Sequence, residues 1–138
     1  MLNRLRRQRL EVSRLAVAVC AAVSLAGLVD LEEAAGAGLG NGAVPRFLGG
    51  GPAKVPDRYR AASPAALLPL GVPQLVVHGL LDMTVPASMS EQYARCARQV
   101  GDEATYLPFP TLDHLDMINP KRSAWTAVVS GLQPLLEQ

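Results

Sequence analysis

The sequence predicts an α/β fold, a parallel sheet flanked by helices, and three observations carry that prediction. Residues 73–79, PQLVVHG, are a short apolar, β-branched stretch bounded by proline and glycine, as a buried strand is. Residues 88–100 repeat apolar side chains at helical spacing, and residues 104–108, ATYLP, read as a second strand. Strand, helix and strand within residues 73–108 have about the length of a crossover unit, whose two strands run parallel and whose connection is right-handed.

The composition fits one packed domain. The chain has 138 residues, 49% of them apolar and 18% charged, which excludes a disordered or solvating tail. Thirteen Lys and Arg against twelve Asp and Glu leave a net charge of +1, too little for the phosphate attraction on which nucleic-acid binders depend. No nucleic acid is expected as a partner. Cys20 and Cys96 are far apart and outside any CxxC, so neither a disulfide framework nor a zinc site is expected; both read as small buried hydrophobes.

In chain order, residues 1–14 form a basic segment carrying Arg4, Arg6, Arg7, Arg9 and Arg14, followed by the apolar run LAVAVCAAVSLAGLV at 15–29 and the small residues Ala34, Ala35 and Gly36. That is the outline of an export signal over residues 1–35. The run is shorter than the ~20 residues a membrane-spanning helix needs. The same run also describes a strand buried on both faces of a parallel sheet. Asp30 ends it, and Leu31 to Ala35 read as a short helical turn. Residues 36–73 are dominated by glycine and proline and read as loop, with one short helix near 57–62. Within them Gly38, Gly40 and Ala43 match G-x-G-x-x-A, but without the preceding strand and following helix that a dinucleotide site requires. No cofactor is expected.

After the first strand comes the loop LLDMTVPA, and Ser88 with Glu91 predicts a capping box opening the next helix. Met89, Tyr93, Ala97 and Val100 form its apolar stripe, and Gly101 suits a left-handed terminator. The last helix carries Trp125, Val128, Val129, Leu132, Leu135 and Leu136 on one periodic stripe; Trp125 reads as core, and Pro134 should kink or shorten the helix.

Ligands of open α/β sheets bind beyond the carboxyl ends of the strands. Asp82 lies in the loop leaving the first strand of the unit and His114 in the loop leaving the second. Loops on adjacent strands, ~4.8 Å apart, can bring a carboxylate within hydrogen-bond reach of an imidazole. Such a pair fixes the ring tautomer and stabilises the imidazolium formed when histidine takes a proton from a nucleophile. Taken alone, Asp82 is better read as a turn or cap residue and His114 as a satisfied surface residue.

The segments VPQLVVHGLLDMTVPASMSEQYA and GDEATYLPFPTLDHLDMINPKRSAW resemble the C-terminal third of an α/β-hydrolase, of the branch holding carboxylesterases, lipases and prolyl-oligopeptidase-like serine peptidases. The family's acid loop, H-G-x-x-D-x-x-V-P, stands here as His78, Gly79, Asp82, Val85 and Pro86, and its histidine loop as Asp113 and His114 leading to Pro120. The resemblance extends upstream to about residue 20, making residues 15–138 a partial domain with 15–29 as an internal strand. It implies Asp82 as the orienting acid and His114 as the general base of a catalytic triad. Asp116 is a weaker substitute for the acid, and His78 is expected to pack beneath the acid loop.

The family's nucleophile lies in G-x-S-x-G at a strand-to-helix turn, and this sequence has no such motif. Ser24 falls in the apolar run, Ser63 precedes Pro64 in a turn, and Ser88 is the expected cap. The expectation is therefore a truncated serine hydrolase of esters or peptide-like acyl bonds, cytoplasmic, carrying acid and histidine without serine. Its partners are an acyl substrate in the complete enzyme and a complementing N-terminal half or self-association. The alternative is a non-catalytic pseudoenzyme or complementing fragment, with residues 1–35 as a signal-like segment for export.

Overall fold

The computed structural model describes residues 19–136, with side chains through residue 134. The basic segment 1–14, the first part of the 15–29 run and the side chains of Leu135 and Leu136 lie outside the described residues. The elements in chain order are β1 (Ala22–Leu25), α1 (Leu31–Gly36), α2 (Leu39–Leu48), α3 (Pro56–Ala62), a 3-10 turn (Pro64–Leu67), β2 (Gln74–Gly79), α4 (Ala87–Gln99), β3 (Ala104–Phe109), a second 3-10 turn (Leu115–Ile118) and α5 (Ser123–Leu136). The strands form one parallel sheet in the order β1-β2-β3.

β2 lies at the centre and is buried along its whole length, because it has a strand on each side and helices on both faces. Strand alternation sorts its residues between two interiors. Val76 joins Val29, Ala34, Val44, Leu48, Tyr59, Val85, Met89, Tyr93 and Ala94 on one face. Leu75 and Val77 join Ala26, Leu112, Met117, Ala124 and Val128 on the other. The β2–α4–β3 unit thus matches its expected order and boundaries within a residue or two.

Several expectations change. The 15–29 run is not one long strand buried on both faces. Among the described residues its strand is Ala22–Leu25, half-buried, and it ends where Ala26 takes a left-handed φ of 49° that turns the chain out of the sheet. Residues 36–73 are more ordered than loop. Gly38, Gly40 and Gly42 adopt left-handed conformations open to residues without a Cβ, and the right-handed part of α2 starts after them. Pro45 therefore sits near a helix start, where its missing N–H costs little. The G-x-G-x-x-A match follows helix α1 rather than a strand, which is the wrong context for a nucleotide turn.

In α4 the capping box does not form. The helix begins at Ala87 after Pro86, no side chain caps it, and Ser88 is exposed within its first turn. Met89, Tyr93 and Ala97 are buried as expected, whereas Val100 is half-exposed because the helix has already ended at Gln99; Gly101 follows with a φ of 94°. Trp125 is 38% exposed and Val129 is also exposed, so the buried line of α5 runs through Ala124 and Val128 instead. α5 continues past Pro134 to Leu136, so the proline does not end it. Cys20 is exposed and Cys96 half-buried, so neither is a core residue.

Candidate active site

The acid loop and the histidine loop leave the same end of neighbouring strands. β2 and β3 pair in register from Gln74 with Ala104 to Gly79 with Phe109. Beyond the strands the backbones stay joined, with Leu80 N–H donating to Phe109 O at 2.8 Å and Leu81 N–H to Leu112 O at 3.1 Å. Gly79 makes this approach possible, because a Cβ there would overlap the carbonyl of Leu112.

Asp82 sits in the turn that follows, with its side chain fully buried. Its Oδ1 accepts from the backbone N–H groups of Thr84 at 2.7 Å and Val85 at 2.8 Å, a turn that aspartate forms readily. Its Oδ2 faces two imidazoles: His114 Nδ1 at 2.7 Å and His78 Nε2 at 3.1 Å. Burial pushes the carboxyl up, but the hydrogen bonds from Val85, His114 and Thr84 and the electrostatic attraction of the His114 ring outweigh it. Asp82 is held below its ordinary value.

His114 stands just before the 3-10 turn at Leu115–Ile118. Reciprocal bonds fix that turn: Asp113 Oδ1 accepts from the N–H groups of Leu115 and Asp116, and Asp116 Oδ2 accepts from Asp113 N–H. Asp116 Oδ1 also pairs with Arg122 Nε at 2.7 Å, and fully buried Met117 anchors the loop from beneath. Asp116 is thus committed to its own loop and does not orient the histidine. Because Nδ1 points at a carboxylate, it carries the ring proton and donates, which leaves the lone pair on Nε2. Nε2 has no hydrogen-bond partner among the described residues, and the side chain is 34% exposed.

The structure therefore brings Asp82 and His114 into contact as the sequence spacing suggested. His78 does more than pack beneath the acid loop: it is wholly buried and bonds directly to Asp82. None of the described serines is hydrogen-bonded to His114. Ser24 is in β1, Ser63 accepts from Leu31 N–H at 3.0 Å, and Ser90 meets His78 Nδ1 at 2.7 Å. No group of three or more metal-ligating side chains occurs among the described residues, and no described helix is long and apolar enough to cross a membrane.

No protein-family model and no curated protein matches the sequence. Solved structures match the fold. An acylaminoacyl peptidase of Pyrococcus horikoshii superposes with a TM-score of 0.69 over 97% of this chain and 23% of its own, at 18% identity. Puromycin hydrolase gives 0.57 over 69% of this chain and 15% of its own, at 25% identity. An esterase of Thermogutta terrifontis, solved with butyrate bound, gives 0.53 over 68% and 32%, at 21% identity. All are α/β-hydrolases, and this chain carries a portion of the α/β-hydrolase fold, spanning a third or less of each of those chains.

Proposed function

We propose that Asp82 and His114 are the acid and base of a serine hydrolase acting on ester or peptide-like acyl bonds. The serine and the oxyanion donors come from outside these 138 residues. The observation that carries this reading is the 2.7 Å contact between His114 Nδ1 and a buried carboxylate already held by two backbone N–H groups, with Nε2 left unbonded among the described residues. In the assembled site Nε2 accepts the proton of the attacking serine hydroxyl and later returns it to the leaving alkoxide or amine. Asp82 stays ionised and stabilises the imidazolium between the two steps. The lowered pKa of Asp82 supports that role, since its hydrogen bonds offset the burial that would otherwise favour the neutral acid. A cytoplasmic site of action is part of this proposal.

A chain with base and acid but neither nucleophile nor oxyanion donors lacks the groups that lower the acyl-transfer barrier most. Expressed alone, it is expected to turn over a p-nitrophenyl ester no faster than buffer. Turnover that disappears in Asp82→Asn and in His114→Ala would contradict this and assign the nucleophile to one of the chain's own serines. The absence of G-x-S-x-G favours a second reading, a non-catalytic protein that retains the couple as a relic. The nucleotide sequence upstream of the Met1 codon discriminates the two: a G-x-S-x-G coding segment, in frame or frameshifted, supports the hydrolase.

A further inference from the structure

We propose that His78 is a positioning residue for the Asp82–His114 couple, holding the carboxylate in the rotation that presents Oδ2 to His114, with Ser90 securing the His78 ring. The inference rests on the reading of Asp82 and His114 as an acid–base couple and assigns the couple a third member.

Strand alternation puts His78 on the same face of β2 as Val76, toward α4, and burial there is complete. A buried imidazole must satisfy both ring nitrogens. Nε2 lies 3.1 Å from Asp82 Oδ2 and 3.0 Å from the carbonyl oxygen of Val85, and both are acceptors. Nε2 therefore carries the proton and shares it between them. Nδ1 is then an acceptor, and the fully buried hydroxyl of Ser90, 2.7 Å away, donates to it. His78 and His114 thus hold opposite tautomers, Nε2–H and Nδ1–H, aimed at one oxygen.

Counting donors shows what His78 adds. Oδ1 of Asp82 accepts from two backbone N–H groups and Oδ2 from two imidazole N–H groups, so four donors surround the carboxylate. Without His78, Oδ2 keeps only the bond to His114, and its vacated side faces a buried space with no donor. The same N–H also ties Val85 O to the strand, and with it the turn that supplies both Oδ1 donors. His78 therefore acts on His114 through Asp82. A residue that only filled space would need neither nitrogen.

The test compares His78→Gln, whose amide N–H can take the place of Nε2–H, with His78→Leu, which fills the space without a donor. Long-range 1H–15N spectra of the 138-residue chain report the His114 tautomer, and circular dichroism reports folding. The expected result is a single Nδ1–H tautomer for His114 in the parent chain and in His78→Gln. In folded His78→Leu that tautomer is lost to a mixture in which Nε2–H predominates. A folded His78→Leu with the His114 signals of the parent overturns the inference. Should His78→Leu not fold, Ser90→Ala decides: several-fold faster solvent exchange of the His114 Nδ1 proton supports the inference, and an unchanged rate overturns it. Absence of the Nδ1–H tautomer in the parent chain contradicts the acid–base reading itself, and the inference falls with it.

Discussion

Residues 74–118 and residues 30–68 reach a buried interior by different routes. In the first, two strands and a long helix satisfy their own backbones; His78 and His114 meet Asp82 at the carboxyl end of the strands, while Tyr93, Gln74 and Asp102 are linked in a second buried cluster near their amino end. In the second, short helices are stitched together by side chains bonding to backbone. Asp30 caps α1 through the N–H groups of Glu32 and Glu33, Arg58 donates to Leu48 O at 2.7 Å, and Tyr59 donates to Gly50 O at 3.1 Å. Among the described residues no buried side-chain nitrogen or oxygen lacks a partner, so both routes succeed. The difference is what the polar groups remain free to do. Where they close helix ends they are used up by structure, whereas regular β2–α4–β3 packing frees Asp82 and two histidines to meet one another.

That contrast can be broken at its strongest points, beginning with Tyr59. It is fully buried and holds both an apolar contact set and the Gly50 carbonyl. Tyr59→Ala should cost about 4 kcal/mol, the usual range for a large buried aromatic. Urea unfolding measures it, and the folded fraction should keep the His114 signals of the parent. Altered His114 signals would show that the two regions are not separable.

Gly79→Ala attacks the other side of the comparison. Its new methyl meets the Leu112 carbonyl, which is backbone and cannot rotate away, so the histidine loop must shift at a cost of roughly 3 kcal/mol. Here the His114 signals should change even where the chain stays folded. A Gly79→Ala chain with parental stability and parental His114 signals would remove the proposed role of the close approach.

Asp82 gives the smallest effect and the one with a pH signature. Its native pKa lies below the ordinary 3.8, so ionised Asp82 adds stability above the unfolded value, and that stability is lost as pH falls through the lower native value. Asp82→Asn should therefore be less stable than the parent by about 2 kcal/mol at neutral pH, through weakened charge-assisted hydrogen bonds. The gap should close as pH falls below the ordinary carboxylate range. A gap that stays constant with pH would mean that the carboxylate gains nothing from its partners.

Much of the 74–118 region was legible because its local signals agree. β-branched strands, a helical stripe and an acid loop ending in Val85 and Pro86 all indicate one crossover with polar residues at its carboxyl end. The same pattern located Asp82 and His114. The bond from His78 to Asp82 was missed because a lone histidine in an apolar strand reads as filler. The available signal was that His78 shares a strand face with Val76 and that Ser90 lies in the first turns of the helix packed there. Residues 36–48 were misread for a different reason. Glycine and proline report local backbone preference, and here tertiary packing of Val44 and Leu48 holds a helix that begins after left-handed glycines. The length of β1 depended on the left-handed turn at Ala26, a position where residue type gives no warning.

The account turns on Asp82 holding His114 as the Nδ1–H tautomer with Nε2 as the base. The most direct test is the long-range 1H–15N spectrum of the histidines at neutral pH, in the parent chain and in Asp82→Asn. A single Nδ1–H tautomer for His114 in the parent, giving way to a predominantly Nε2–H ring in Asp82→Asn, is the predicted result. A His114 that populates both tautomers in the parent, or whose spectrum ignores the loss of the carboxylate, would contradict it.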